Sequence, residues 1–131
     1  MKLLLDTHIW LWSLLDPKKL SRRVVRELKD PANELWLSPI SVWELLVLCD
    51  KRRVVLNEEP QAWIARAMRT LPVADAPLTS EVALETANLS LSHKDPADRF
   101  LAATAKVFGL TLVTADERLI DGQDFAVLAN R

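Results

Sequence analysis

Apolar positions along this chain come in short runs and in helical stripes that take turns. Lys2 to Leu5 is a short apolar run that closes at Asp6. From Thr7 to Leu15 the residues Ile9, Trp10, Leu11, Leu14 and Leu15 recur at a spacing that predicts a buried helix. Asp16-Pro17 ends that helix, and Ser21 stands as N-cap of another with the stripe Leu20, Val24, Val25 and Leu28. After the turn cluster Asp30-Pro31-Ala32-Asn33, Glu34 to Leu37 reads as a second strand and Ser38-Pro39 as a helix start. The helix that follows carries Ile40, Val42, Trp43, Leu45, Leu46 and Leu48, apolar nearly all round, which predicts burial.

Lys51 to Leu56 leads out of it, and Asn57-Glu58-Glu59-Pro60 starts a helix through Thr70 with Trp63, Ile64, Ala67 and Met68 inward. Glu58 and Glu59 sit where the helix dipole favours negative charge and are read as structural. Leu71 to Ala74 is a candidate short strand, and Thr79 caps a helix from Ser80 to about Leu91. Asp95 before Pro96 opens the next helix, which buries Phe100, Leu101, Thr104 and Val107 and stops at Gly109, where a left-handed C-cap is wanted. Leu110 to Thr114 is a strand, Asp116 follows it, a short helical turn runs to Ile120, and Phe125 to Leu128 is a candidate edge strand. Strands separated by helices predict an α/β fold with a mainly parallel sheet and right-handed crossovers.

Length and composition add limits. At 131 residues and 50% hydrophobic, with no break in composition, residues 1–131 are read as one domain. The only cysteine, Cys49, excludes an internal disulfide, and with two histidines the inventory does not suit a structural zinc site. No apolar run is long enough to span a bilayer, and the N-terminus lacks the pattern of a signal peptide, so a cytoplasmic protein without a membrane partner is expected. A net charge of −1 argues against a protein that coats nucleic acid non-specifically. Locally the picture changes. Lys18 to Lys29 holds six basic residues against one acid, Glu27, and Lys19, Arg22, Arg26 and Lys29 share a helix face. That face is read first as solvated, with phosphate contact as the sharper alternative.

Asp6, Asp95 and Asp116 each suit a helix cap when taken alone. Glu44 does not, since a carboxylate within an apolar helix needs a partner or a cation. Asp98, three residues after the Asp95 cap, either supports that cap or points with the helix start toward the sheet edge. Jointly, Asp6, Glu44, Asp98 and Asp116 stand at or beyond the ends of four separate segments, where α/β folds keep their sites. Several ionised carboxylates brought together repel unless a cation neutralises them. Oxygen-only ligands select Mg²⁺ or Mn²⁺, and the natural substrate for such a centre is a phosphate ester, attacked by water with one or two ions about 4 Å apart. No histidine base is required, and His8 and His93 are read as packing or surface residues. The sequence has no Gly-rich phosphate loop, no Gly-x-Ser-x-Gly elbow and no His-Glu-x-x-His. Cys49 is read as an inert core thiol, and the five tryptophans as mainly core, with Trp12 a minor candidate for stacking on a base near the site mouth.

Four segments carry a family resemblance: Leu3-Leu4-Leu5-Asp6-Thr7-His8, Ser41-Val42-Trp43-Glu44, His93-Lys94-Asp95-Pro96-Ala97-Asp98-Arg99 with Ala102-Ala103-Thr104-Ala105, and Leu112-Val113-Thr114-Ala115-Asp116. In this order and spacing the chain resembles a PIN-domain ribonuclease, in particular a VapC-type toxin of a bacterial toxin–antitoxin pair. The resemblance implies a three-layer α/β/α sandwich, Mg²⁺- or Mn²⁺-dependent endonuclease cleavage of RNA, homodimerisation and inhibition by a cognate antitoxin. It places Asp6, Glu44, Asp98 and Asp116 as the catalytic and metal-binding acids, with Thr114 beside the last. It makes Asp95 the helix cap and Arg99 an ion-pair or phosphate partner, and leaves Thr7 and Ser41 as candidate contacts to metal-bound waters. Two rivals stand beside it: a non-catalytic binding module whose acids only cap helices, and a phosphatase using Asp6 as nucleophile.

Overall fold

A computed structural model describes residues 1–91, 94–122 and 124–131. Its strands are β1 (Lys2–Leu5), β2 (Glu34–Leu37), β3 (Ala74–Asp75), β4 (Thr111–Thr114) and β5 (Ala126–Ala129). Its α-helices are α1 (Thr7–Leu15), α2 (Arg22–Lys29), α3 (Pro39–Asp50), α4 (Pro60–Thr70), α5 (Ser80–Glu85), α6 (Pro96–Phe108) and α7 (Glu117–Ile120). The strands form one sheet in the order β3-β2-β1-β4-β5, with every pairing parallel. A parallel pair needs a crossover, and helices supply each one.

Alternation along the strands divides the core in two. Leu3 and Leu5 of β1 and Val113 of β4 face one side, where they meet Ile9, Trp10 and Leu11 of α1, Val24 of α2, Leu45 of α3 and Trp63 and Ala67 of α4. Leu4 and Leu112 face the other side and meet Val82 of α5, Leu101, Ala102, Ala103 and Ala105 of α6 and Leu119 of α7. Helices therefore cover both faces, giving the three-layer α/β/α sandwich. Leu3, Leu4 and Leu5 are fully buried, each stabilising the fold by about 1.5–3 kcal/mol. The alanines of α6 let that helix lie close to β1 and β4, and Gly109 ends it at φ +63, a conformation that disfavours a side chain.

Four expectations shift. β3 lies at Ala74–Asp75 rather than Leu71 to Ala74, because pairing with Trp36 and Leu37 at the end of β2 decides it. Leu71 instead caps α4. The helix after Thr79 stops at Glu85 and continues only as a 3₁₀ turn, Thr86–Asn88. The last strand lies one residue later than expected, at Ala126–Ala129, in register with β4. On α3, Ser41 and Leu45 are buried, but Trp43 is 57% and Leu46 37% exposed, so the helix is not buried all round. Among the tryptophans only Trp10 and Trp63 are buried, and they meet edge to face with ring centroids 5.9 Å apart.

Candidate active site

The chain runs from β1 outward through β2 to β3, then crosses back to β4 on the other side of β1 and on to β5. Strand order thus reverses between β1 and β4. Loops leaving the carboxyl ends of two such strands diverge and leave a crevice. Asp6 directly follows β1, and Asp116 stands two residues after β4.

Asp6 is held from three sides. Its N–H donates to the carbonyl of Val113 at 3.0 Å, completing the β1–β4 ladder. Its Oδ1 accepts from the Thr7 amide at 2.7 Å, and its Oδ2 accepts from the Thr114 hydroxyl at 2.7 Å. The residue is only 8% exposed. Burial pushes its carboxyl pKa up, against the lowering by the Thr114 and Thr7 hydrogen bonds and by His8, while Asp116 adds to the rise. Thr114, itself fully buried, also accepts from the Asp116 amide at 3.0 Å. One hydroxyl therefore ties the first acid to the last.

Glu44 reaches the same place from α3. Thr7 Oγ1 lies 2.6 Å from Glu44 Oε1 and 2.9 Å from Ser41 Oγ. Since a hydroxyl has one proton, Thr7 gives it to the carboxylate and accepts from Ser41. Burial again raises the pKa, more than the Thr7 hydrogen bond lowers it, and Asp6, Asp98 and Asp95 push it further up. Thr7 and Ser41, the candidate contacts to metal-bound water, hydrogen-bond in a chain that ends on this acid. Asp95 caps α6, its Oδ1 accepting from the amides of Ala97 at 3.0 Å and Asp98 at 3.3 Å. Asp98 sits in the first turn of that helix. Asp116 caps α7 and accepts from Arg118 three times: amide at 2.9 Å, Nε at 3.1 Å and Nη2 at 3.0 Å.

A cavity of about 380 Å³ opens here, and Asp6, Glu44, Asp98 and Asp116 all line it, with Asp95, His8, Trp12, Ala115 and Arg118 completing the wall. Among the described residues, no three His, Cys, Asp or Glu side chains already form a cluster that could hold a metal ion. Thr7 engages Glu44 and Arg118 engages Asp116. The donor set still fits a hard cation: after burial, neighbouring carboxylates add to the raised pKa of Asp6 and of Glu44, and no thiol lines the cavity.

Arg99 lies elsewhere. Its guanidinium donates to the carbonyls of Leu91 at 2.8 Å and Thr86 at 2.5 Å, drawing the approach to α6 onto the end of α5. Arg118 and His8 are wall residues that the sequence reading did not assign to the site. Arg118 has a signal, since a basic residue two positions after a helix-capping aspartate can fold back on it. Cys49 is half-buried on α3, and burial pushes its thiol pKa up. His93 lies outside the described residues.

An α/β/α domain with a parallel sheet and four acids at its switch point defines the class, and the sequence agrees. The PIN-domain family model matches residues 3–123, and the chain belongs to that family. Ribonuclease VapC22 of Mycobacterium tuberculosis is 34% identical over 119 residues, 88% of each chain. Among solved structures, VapBC2 of Rickettsia felis bound to a promoter DNA fragment aligns with a TM-score of 0.72 at 17% identity, over 98% of each chain. FitAcB of Neisseria gonorrhoeae aligns at 0.64 with 26% identity, over 98% of this chain and 97% of its own. Among the described residues, no helix is long and apolar enough to cross a membrane.

Proposed function

We propose that this chain, a single nuclease domain, is a divalent-metal-dependent endoribonuclease and the toxin of a toxin–antitoxin pair. Its substrate is RNA, its cofactor Mg²⁺ or Mn²⁺, and its partners a cognate antitoxin protein and a second copy of itself, in the cytoplasm. The observation that carries the reading is the arrival of Asp6, Glu44, Asp98 and Asp116, from four separate elements, in one cavity at the reversal of strand order. The likeness to a ribonuclease over most of the chain supports it.

Asp6, Glu44, Asp98 and Asp116 would hold the ion, which when bound supplies Lewis-acid activation of water and offsets charge on the phosphate. Everything else falls to side chains described above. Thr114 and the Thr7 amide hold both oxygens of Asp6, so that its carboxylate presents one orientation. Thr7 and Ser41 do the same for Glu44. Arg118 brings a guanidinium to the acidic cavity, where it can meet a phosphate oxygen as well as Asp116. No side chain acts as covalent nucleophile. Asp6, nearly buried and with each oxygen hydrogen-bonded, is poorly disposed for the in-line attack of an aspartate phosphatase.

Incubating the purified protein with RNA and Mn²⁺, with and without chelator, tests the reading. Cleavage is expected only with metal, and neither Asp6→Asn nor Asp98→Asn should cleave. Metal-dependent cleavage retained by both variants at wild-type rate would overturn it, as would chelator-resistant cleavage.

A further inference from the structure

Besides the acids, the cavity lining carries two aromatic rings. Trp12 and His8 lie one turn apart on α1, and both line the cavity. Their rings are 5.7 Å apart between centroids and tilted by 51°. His8 is exposed, while Trp12 is half-buried, one side packed against the core cluster of α1 and α4. Over the indole lies Lys19, its Nζ 5.5 Å from the ring centroid. That lysine is not there by chance of an exposed tail. Asn130 Nδ2 donates to the Lys19 carbonyl at 2.9 Å, Asn130 Oδ1 accepts from the Ser21 amide at 2.7 Å, and the Asn130 amide donates to the Thr114 carbonyl at 2.8 Å. The 3₁₀ turn Pro17–Lys19 is thereby moored to the end of β4, the strand that carries the site.

We propose that Trp12, His8 and Lys19 form a nucleotide subsite in which one unpaired base of single-stranded RNA stacks on the indole beside His8 and Lys19 binds the adjoining phosphate. The assignment rests on the reading of the chain as a ribonuclease. A strand entering an acidic cavity is repelled by it and needs a neutral platform and a cation nearby, and Trp12 on the wall and Lys19 over its ring supply the two. An aromatic face accepts any base whose own face is free, so the subsite takes single strands and loops and rejects duplex. In the free protein Lys19 rests on the indole. A phosphate is the stronger partner for its ammonium, and its departure uncovers the ring for the base. The exposed Arg22, Arg26 and Lys29 of α2 continue the basic surface from Lys19 along the chain.

The experiment measures binding and cleavage separately on the whole protein. In chelator, a fluorescent single-stranded RNA oligonucleotide is titrated with wild type, Trp12→Leu, which keeps the apolar bulk, and Trp12→Phe, which keeps a stacking face. Trp12→Leu is expected to weaken binding about tenfold, with Trp12→Phe recovering most of it, and duplex RNA is expected to bind wild type more weakly. Lys19→Gln should reduce the slope of log affinity against log salt by about one phosphate contact. With Mn²⁺ added, the Trp12→Leu loss should fall on KM more than on kcat. Should Trp12→Leu fail to fold, His8→Ala and Lys19→Gln on the exposed side carry the same binding test. Equal affinity of wild type and Trp12→Leu for single strands, or equal affinity of wild type for single strands and duplex, overturns the subsite. A wild type that binds as described but never cleaves overturns the ribonuclease reading and leaves the subsite standing.

Discussion

Asp6 and Asp95 both cap helices from extended backbone, at φ −62, ψ 152 and φ −61, ψ 118, with a side-chain oxygen turned to the first amides. Beyond that local likeness they part. Asp95 is exposed and spends its Oδ1 on Ala97 and Asp98, which is enough to start α6. Asp6 is nearly buried, and its second oxygen is taken by a hydroxyl 108 positions away in sequence. Burial raises its pKa even though two hydrogen bonds oppose the rise. A cap that only caps has no need of a desolvated charge, and the cost borne at Asp6 is one reason we propose it as the working acid.

The largest expected break between the two is in cleavage. Asp6→Asn should lower the rate of RNA cleavage to below about one-hundredth of wild type, whereas Asp95→Asn, which can still cap, should leave cleavage readily measurable. Thr114→Val removes only the hydroxyl that orients Asp6 and is expected to cost about 10- to 100-fold in rate at fixed Mn²⁺.

Next comes the pH dependence of stability in chelator. The folded pKa values of Asp6 and Glu44 are raised, so the folded state binds more protons than the unfolded chain across the window from the ordinary carboxylate range up to those raised values. The stability these two groups contribute is then greatest below that window and is lost as pH rises through it. Melting followed by circular dichroism should show the decline for wild type. Asp6→Asn should flatten it and melt higher at neutral pH, by about 2–5 °C. A variant that melts lower at neutral pH, with the wild-type decline intact, would contradict the burial account of Asp6.

Smaller effects sharpen the other side. Asp95→Ala is expected to cost about 1 kcal/mol in urea unfolding through the lost cap, and Asp95→Asn less than about 0.5 kcal/mol. If Asp95→Asn instead raised the melting temperature as Asp6→Asn should, the two aspartates would have to be treated alike.

This comparison also shows what the sequence can carry. Strands Lys2–Leu5 and Glu34–Leu37 and the caps Ser21, Ser38, Thr79 and Asp95 follow from local signals and occur as read. Three of the four acids were legible by position, since Asp6 and Asp116 follow strands and Glu44 rides a helix that a strand feeds, whereas Asp98 rides α6, which follows a 3₁₀ turn and was marked by its own helix start. Details set by partners far along the chain were not. The short β3 exists only through β2, and the outward turn of Trp43 on an apolar helix depends on which side of α3 meets the core. Arg118 and His8 entered the site through three-dimensional proximity. The difference between Asp6 and Asp95 is partly of the same kind: the apolar neighbours Leu3 to Leu5 and Ile9 to Leu11 announce burial at Asp6, but nothing near it announces the Thr114 hydroxyl that takes its second oxygen.

The hydrogen bond from Thr114 to Asp6 has a consequence during synthesis. The hydroxyl that orients the acid is made 108 positions after it, so ribosome-bound chains short of β4 hold neither Thr114 nor Asp116. Contacts of such separation close late, and β1, at the centre of the sheet, has no neighbour on its β4 side until then. An enzyme whose substrate is RNA is in this way made beside a great deal of RNA while its own site is still missing one wall.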